Sequence, residues 1–150
     1  MIGYMLTWTT YGTWLQGDER GYVKNGQILE QNEVLEEVNK SNLKKQPVKL
    51  NAKQKEIVKE AIIQEAKRLN QKVFALVVFS NHIHLLVEKN PESIETTAAL
   101  YKTAARKALY ESGLERKIWS KGFDKRYCFN QQELSRRIEY ILRHNETYKK

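Results

Sequence analysis

Residues 72–90 read KVFALVVFSNHIHLLVEKN: two runs of β-branched, aromatic and aliphatic residues parted only by Ser80 and Asn81. Each run has strand length, and a two-residue polar break between them is the sequence form of a hairpin or of two closely linked strands. A sheet must therefore lie at the centre of the fold. Within it, His82 and His84 occupy places that an ordinary buried strand would give to Val or Ile.

The flanking sequence says what covers that sheet. Asn51 can cap a helix whose apolar positions Val58, Ile62, Ala66 and Leu69 follow helical spacing, leaving through Asn70. Ser93 can cap a second helix through about Glu111, with Ile94, Ala98, Tyr101, Ala105 and Ala108 inward and Lys102, Arg106 and Lys107 outside, stopping at Ser112-Gly113. Met1 to Trp14 is rich in strand-forming Tyr, Thr and Trp and ends at the turn-prone GDERG. KIWSKGFDKRYCF reads as another strand, and NQQELSRRIEYILRHN as a last helix capped by Asn130 with Glu133 three residues on. Residues 24–50 are polar and irregularly charged, with a short helix expected around Gln31 to Asn39. The order β–variable–α–β–β–α–β–α predicts an α+β protein: a ferredoxin-like or RRM-like antiparallel sheet with helices packed on one face and a further C-terminal helix. At 150 residues, one domain spanning 1–150 is expected.

Composition narrows the partner. With 26 Lys+Arg against 18 Asp+Glu the formal charge is +8 and the pI near 9.5. A polyanion, most commonly nucleic acid, is the leading inference. A single cysteine, Cys128, excludes an intramolecular disulfide and a CxxC metal clamp. With no apolar run of about 18 residues and no signal-peptide pattern at the N-terminus, the expectation is a cytoplasmic, nucleoid-associated protein with no membrane partner.

In a strand, residues two apart project to the same face, so His82 and His84 point together and form a two-imidazole half-site for a divalent cation. On the last helix, Leu134, Ile138, Ile141 and Leu142 make one apolar stripe, while Glu133, Arg137, Tyr140 and His144 fall on the other side. Tyr140 and His144 stand one turn apart, flanked by Arg136, Arg137 and Arg143. A phenol, imidazoles and guanidiniums together match a plan in which the phenol attacks a phosphodiester while a metal polarises the phosphate.

The segment SNHIHLLVE resembles the PNHxHLL segment of the single-tyrosine HUH transposases, specifically the REP-associated tyrosine transposases and their insertion-sequence relatives. LTWTTYGTWLQGDERG resembles the N-terminal strand and turn of one branch of that family, and IWSKGFDKRY followed by IEYIL its Trp-containing strand and tyrosine helix. The similarity is collinear and spans most of the chain outside residues 24–50. It implies an RRM-like core, His82 and His84 as ligands of Mg2+ or Mn2+, and Tyr140 as the nucleophile that forms a 5′-phosphotyrosine with hairpin-containing single-stranded DNA. Two departures stand out. Ser80 replaces the proline of PNH, which should alter only the turn. The family places Gln or Asn after the tyrosine as third ligand, whereas here His144 lies at +4 and Asn145 at +5. Projection puts Asn145 near the apolar stripe, which favours His144, with Asn145 the alternative. Family members include monomers and dimers that exchange the tyrosine helix, so a homodimer stays open.

DNA contacts are expected from Lys102, Arg106, Arg126, Arg136, Arg137 and Arg143. Trp119, with Phe123 and Tyr127, could stack on unpaired bases or pack in the core; Trp8, Tyr11 and Trp14 share that ambiguity. Asp18, Glu19 and Arg20 match the family turn without a derived role. Two other readings fit the residues: a non-catalytic single-stranded nucleic-acid-binding module, which predicts no metal dependence, and a hydrolase using water through His82, His84 and His144, which predicts no covalent adduct.

Overall fold

The computed structural model describes residues 1–13 and 46–149, with residues 144–149 described by backbone alone. Trp14, Asp18, Glu19, Arg20 and the helix expected over Gln31 to Asn39 lie outside the described residues. The elements run β1 (Gly3–Thr9), α1 (Ala52–Arg68), β2 (Val73–Val78), β3 (His82–Glu88), α2 (Ile94–Glu111), β4 (Asp124–Cys128) and α3 (Gln131–Lys149). The sheet is antiparallel in the order β2-β3-β1-β4. This is the ferredoxin-like βαββαβ arrangement, followed by one extra helix.

Local chemistry sets the helix ends. The Asn51 side chain accepts from the Gln54 amide at 2.8 Å while the Gln54 side chain accepts from the Asn51 amide at 2.9 Å, a reciprocal capping box. α1 stops because Asn70 turns left-handed, with φ 52°, so that the Gln71 amide reaches the Ala66 carbonyl and the Asn70 amide reaches Lys67. α2 starts on the Ser93 hydroxyl, which accepts from the Thr96 amide at 3.0 Å, and ends on Gly113 at φ 111°. Its inward positions include Leu109, fully buried in place of the expected Ala108, which is only half-buried.

Strand alternation divides the core in two. Tyr4, Leu6 and Trp8 of β1 and Ile83, Leu85 and Val87 of β3 face α1 and α2, packing with Val58, Ile62, Tyr101 and Leu109. A buried polar chain ties that side together: the Tyr101 hydroxyl donates to Gln71 Oε1 at 2.7 Å, and Gln71 Nε2 donates to the Glu88 carbonyl at 2.6 Å and the Tyr4 hydroxyl at 3.3 Å. Met5, Val77, Phe79, Leu86 and Cys128 point the other way, under Leu134, Ile138 and Ile141 of α3. The two inter-strand helices thus share one face, as expected, and the C-terminal helix seals the opposite face. On α3 itself Leu142 departs from the expected apolar stripe, being 53% exposed. Among the described residues no helix is long and apolar enough to cross a membrane.

Candidate active site

The turn between β2 and β3 is fixed from both sides. The Leu50 amide donates to the Ser80 carbonyl at 2.7 Å and the Thr10 amide to the Asn81 carbonyl at 2.9 Å. Held there, the Asn81 side-chain oxygen lies 2.7 Å from Nδ1 of His82 and can only accept, so that nitrogen carries the proton. His84 is paired across the sheet with Thr7, whose hydroxyl lies 2.8 Å from His84 Nδ1. Both Nδ1 atoms are thus engaged by neighbours, which directs the chemistry of each ring to Nε2. The two rings stand 5.0 Å apart at 81°, on the sheet face that α3 covers. Phe79 lies against His82 at 4.4 Å and meets His84 edge-on at 6.0 Å, an apolar wall that restricts both imidazoles.

α3 crosses this face from β4 towards β2. Asn130 caps it, accepting from the Glu133 amide at 2.9 Å, and Glu133 reaches back to accept from the Phe129 amide at 3.3 Å. Burial of Leu134 and Ile141 on the sheet sets the helix rotation and turns Tyr140 along the sheet surface. Its ring centroid is 6.1 Å from that of His84 at 72°, and it is 47% exposed. The Arg137 guanidinium, one turn earlier, lies 5.9 Å from the Tyr140 ring. Phenol, imidazole pair and guanidinium meet at one place.

Two imidazoles with directed Nε2 atoms are a chemically apt half-site for a divalent cation. Among the described residues no cluster of three His, Cys, Asp or Glu side chains forms. His144 and Asn145 fall on the α3 backbone, and their side chains lie outside the described residues.

The remaining expected contacts divide by sheet face. Arg136 and Arg143 are exposed on α3, and Arg126 is exposed on β4, paired in register with Met5 and bonded to Asp124 at 3.1 Å. Lys102 and Arg106 lie on α2, across the sheet from the histidines. The Lys102 ammonium donates to the carbonyls of Ser120 and Gly122 at 3.0 and 2.8 Å, tethering the loop before β4. Burial pushes that ammonium below the ordinary lysine value. Trp119 is buried, meets Trp8 edge-on at 6.0 Å and donates its indole N–H to the Lys102 carbonyl at 2.8 Å. Of the two roles open to Trp119, it takes the core one. Sequence reasoning missed Thr7 and Asn81 as partners of the imidazoles. Asn81 could have been found beside the histidine pair, whereas Thr7 depends on a register that no local signal announces.

No family model and no curated protein matches the sequence. Solved structures do match. A REP-associated tyrosine transposase bound to a REP hairpin aligns with 93% of this chain at a TM-score of 0.54 and 14% identity. The chain has the fold of a REP-associated tyrosine transposase. It spans 64% of that transposase's length. A structure described as a candidate transposase from Deinococcus radiodurans R1 aligns with 95% of this chain and 89% of its own, at a TM-score of 0.50 and 14% identity.

Proposed function

We propose that this chain is a metal-dependent tyrosine transposase that cleaves and rejoins hairpin-containing single-stranded DNA. One observation carries the reading: Tyr140 stands with its ring 6.1 Å from His84, on a helix laid across the histidine face. His82 and His84 would hold a divalent cation, Mg2+ or Mn2+, through Nε2, with His144 or Asn145 completing the set. Such an ion supplies Lewis-acid polarisation of the phosphate and charge relief at the leaving oxygen.

The chain's own residues account for the rest. The Tyr140 oxygen attacks phosphorus; an O–P bond forms as the bond from phosphorus to the 3′-oxygen breaks. The departing oxygen takes up a proton as the phenol loses one, leaving a 3′-hydroxyl and a 5′-phosphotyrosine. Attack by a 3′-hydroxyl reverses the step, so rejoining needs no outside energy. Arg137, beside the phenol, offers paired N–H donors to the phosphate oxygens. The +8 charge supports a polyanionic substrate, and the hairpin bound by the structural neighbour supports its form.

Incubation with hairpin DNA bearing a single-stranded flank and Mn2+ should give a covalent protein–DNA band on a denaturing gel. Tyr140→Phe should abolish it while leaving folding and DNA binding intact. An adduct that survives Tyr140→Phe and disappears in Tyr127→Phe would move the nucleophile. Cleavage without any adduct would replace the phenol by water.

A further inference from the structure

β4 accompanies β1 only as far as Thr7, which pairs with Asp124. Thr9 and Thr10 run on beyond that point, and Thr9 is the register partner of His82. Past Thr7 the outer edge of β1 is held by the 112–123 connection instead of by a strand. Trp119 makes an isolated bridge to Thr10, the Ser120 amide donates to the Thr9 carbonyl at 3.0 Å, and the Ser120 hydroxyl donates to the Thr10 carbonyl at 2.8 Å. Lys102 of α2 anchors this connection at both of its own ends. Its ammonium donates to the carbonyls of Ser120 and Gly122, and its backbone carbonyl accepts the Trp119 indole N–H. Covering part of an ammonium is costly, and the two carbonyl bonds offset that cost only while the connection stays in one place.

Thr10 carries the hold to the far side of the sheet. Fully buried, it donates its amide to the Asn81 carbonyl at 2.9 Å and its hydroxyl to the Val48 carbonyl at 2.6 Å. The Asn81 side-chain oxygen, 2.7 Å from Nδ1 of His82, fixes the proton on that nitrogen. Lys102, Ser120, Thr10, Asn81 and His82 are thus joined by one unbroken series of bonds, from α2 around the end of the sheet to the opposite face. Resting on the reading of His82 and His84 as a cation half-site, we infer that Lys102 is a positioning residue for that half-site. It fixes the end of β1 against the Ser80-Asn81 turn and so holds His82 in the tautomer that leaves Nε2 open to the ion. This role is distinct from the phosphate contact expected of Lys102, since it is exercised through the chain's own backbone.

The test compares variants of the full chain. Lys102→Met keeps the aliphatic stem and removes the N–H donors, whereas Ser120→Ala keeps the backbone bonds and removes only the hydroxyl link to Thr10. Tyr101→Phe, the neighbouring position on α2 and outside the series, controls for a general loss of stability. Asn81→Ala removes the last link before the ring. Calorimetric titration with Mn2+ reads affinity, and the imidazole 15N resonances of the metal-free chain read which nitrogen of His82 carries the proton. Lys102→Met should weaken Mn2+ binding about 2- to 30-fold and lower the Nδ1-protonated fraction of His82. Ser120→Ala should act in the same direction, and Tyr101→Phe should do neither. In the Asn81→Ala background, Lys102→Met should add nothing further. Wild-type affinity and resonances in both Lys102→Met and Ser120→Ala, an equal loss in Tyr101→Phe, or a loss that adds in full to that of Asn81→Ala would overturn the inference. If the wild type takes up no Mn2+ while Lys102→Met still shifts the His82 resonances, the positioning stands and the half-site fails. Mn2+ binding that His82→Ala removes and Lys102→Met leaves unchanged would keep the half-site and remove the positioning role.

Discussion

Replacing Thr7 by valine isolates one bond beneath the histidine pair. The Thr7 hydroxyl sits 2.8 Å from His84 Nδ1, and the two residues are 5% and 7% exposed, so water does not readily substitute for the lost group. Valine keeps the branched shape and suits a strand, so only the hydroxyl changes. Removing a buried hydrogen-bond partner costs about 1–3 kcal/mol. For a chain of this size, that lowers Tm by about 2–12 °C. The second effect is on the ring itself. With Nδ1 no longer held, the tautomer and tilt that aim Nε2 outward relax, and loss of such a supporting bond typically reduces metal affinity about 10–100-fold. Calorimetric titration with Mn2+, alongside a thermal melt, measures both, and Thr7→Ser should restore both. If Mn2+ affinity is the same in Thr7→Val as in the wild type while His84→Ala removes it, Thr7 does not orient the ligand. If neither variant alters Mn2+ binding, the half-site itself is wrong.

On the opposite side of the sheet, Tyr101→Phe deletes the hydroxyl that donates to Gln71 Oε1 at 2.7 Å. It should destabilise by about 1–3 kcal/mol in urea without changing DNA cleavage. Cys128 is buried, and burial pushes its thiol above the ordinary cysteine value, so alkylation of the native chain should be slow and gated by unfolding. Because the folded thiol ionises later than the unfolded one, its contribution to stability falls as pH rises past the ordinary thiol range. The stability gap between wild type and Cys128→Ala should therefore narrow in alkali; a gap independent of pH would remove the burial argument.

Periodicity and caps carried most of the fold. The capping box at Asn51, the exit at Asn70 and the Ser80-Asn81 break are local events, written in residues that touch each other. Which sheet face α3 takes is another matter. Its apolar stripe is visible, but Met5, Val77 and Leu86 look no different in sequence from the residues facing α1 and α2. Leu142 shows the same limit, since helical projection places it on the stripe whereas, among the described residues, the apolar side chains of α3 that pack on the sheet are Leu134, Ile138 and Ile141. Within the site, His82 and His84 declare themselves because a strand period aligns them, and Tyr140 because it breaks an apolar pattern. Thr7 is invisible until β1 pairs with β3, and Lys102 reads as a solvent-facing cation until the loop at Ser120 and Gly122 folds over it.

Among the described residues the seat of α3 is small. Two fully buried side chains there, Leu134 and Ile141, and one half-covered neighbour, Ile138, hold it to the sheet. Full burial of such a side chain is worth about 1.5–3 kcal/mol, before the entropy of ordering is set against it. Local detachment of this helix should therefore precede global unfolding, and its amide protons should exchange with solvent sooner than those of β1 and β3. The imidazoles stay with the rigid sheet in that event and the phenol leaves with the helix. The phenol proposed as nucleophile is thus a removable part, and the lifetime of the assembled site is the docking lifetime of one helix.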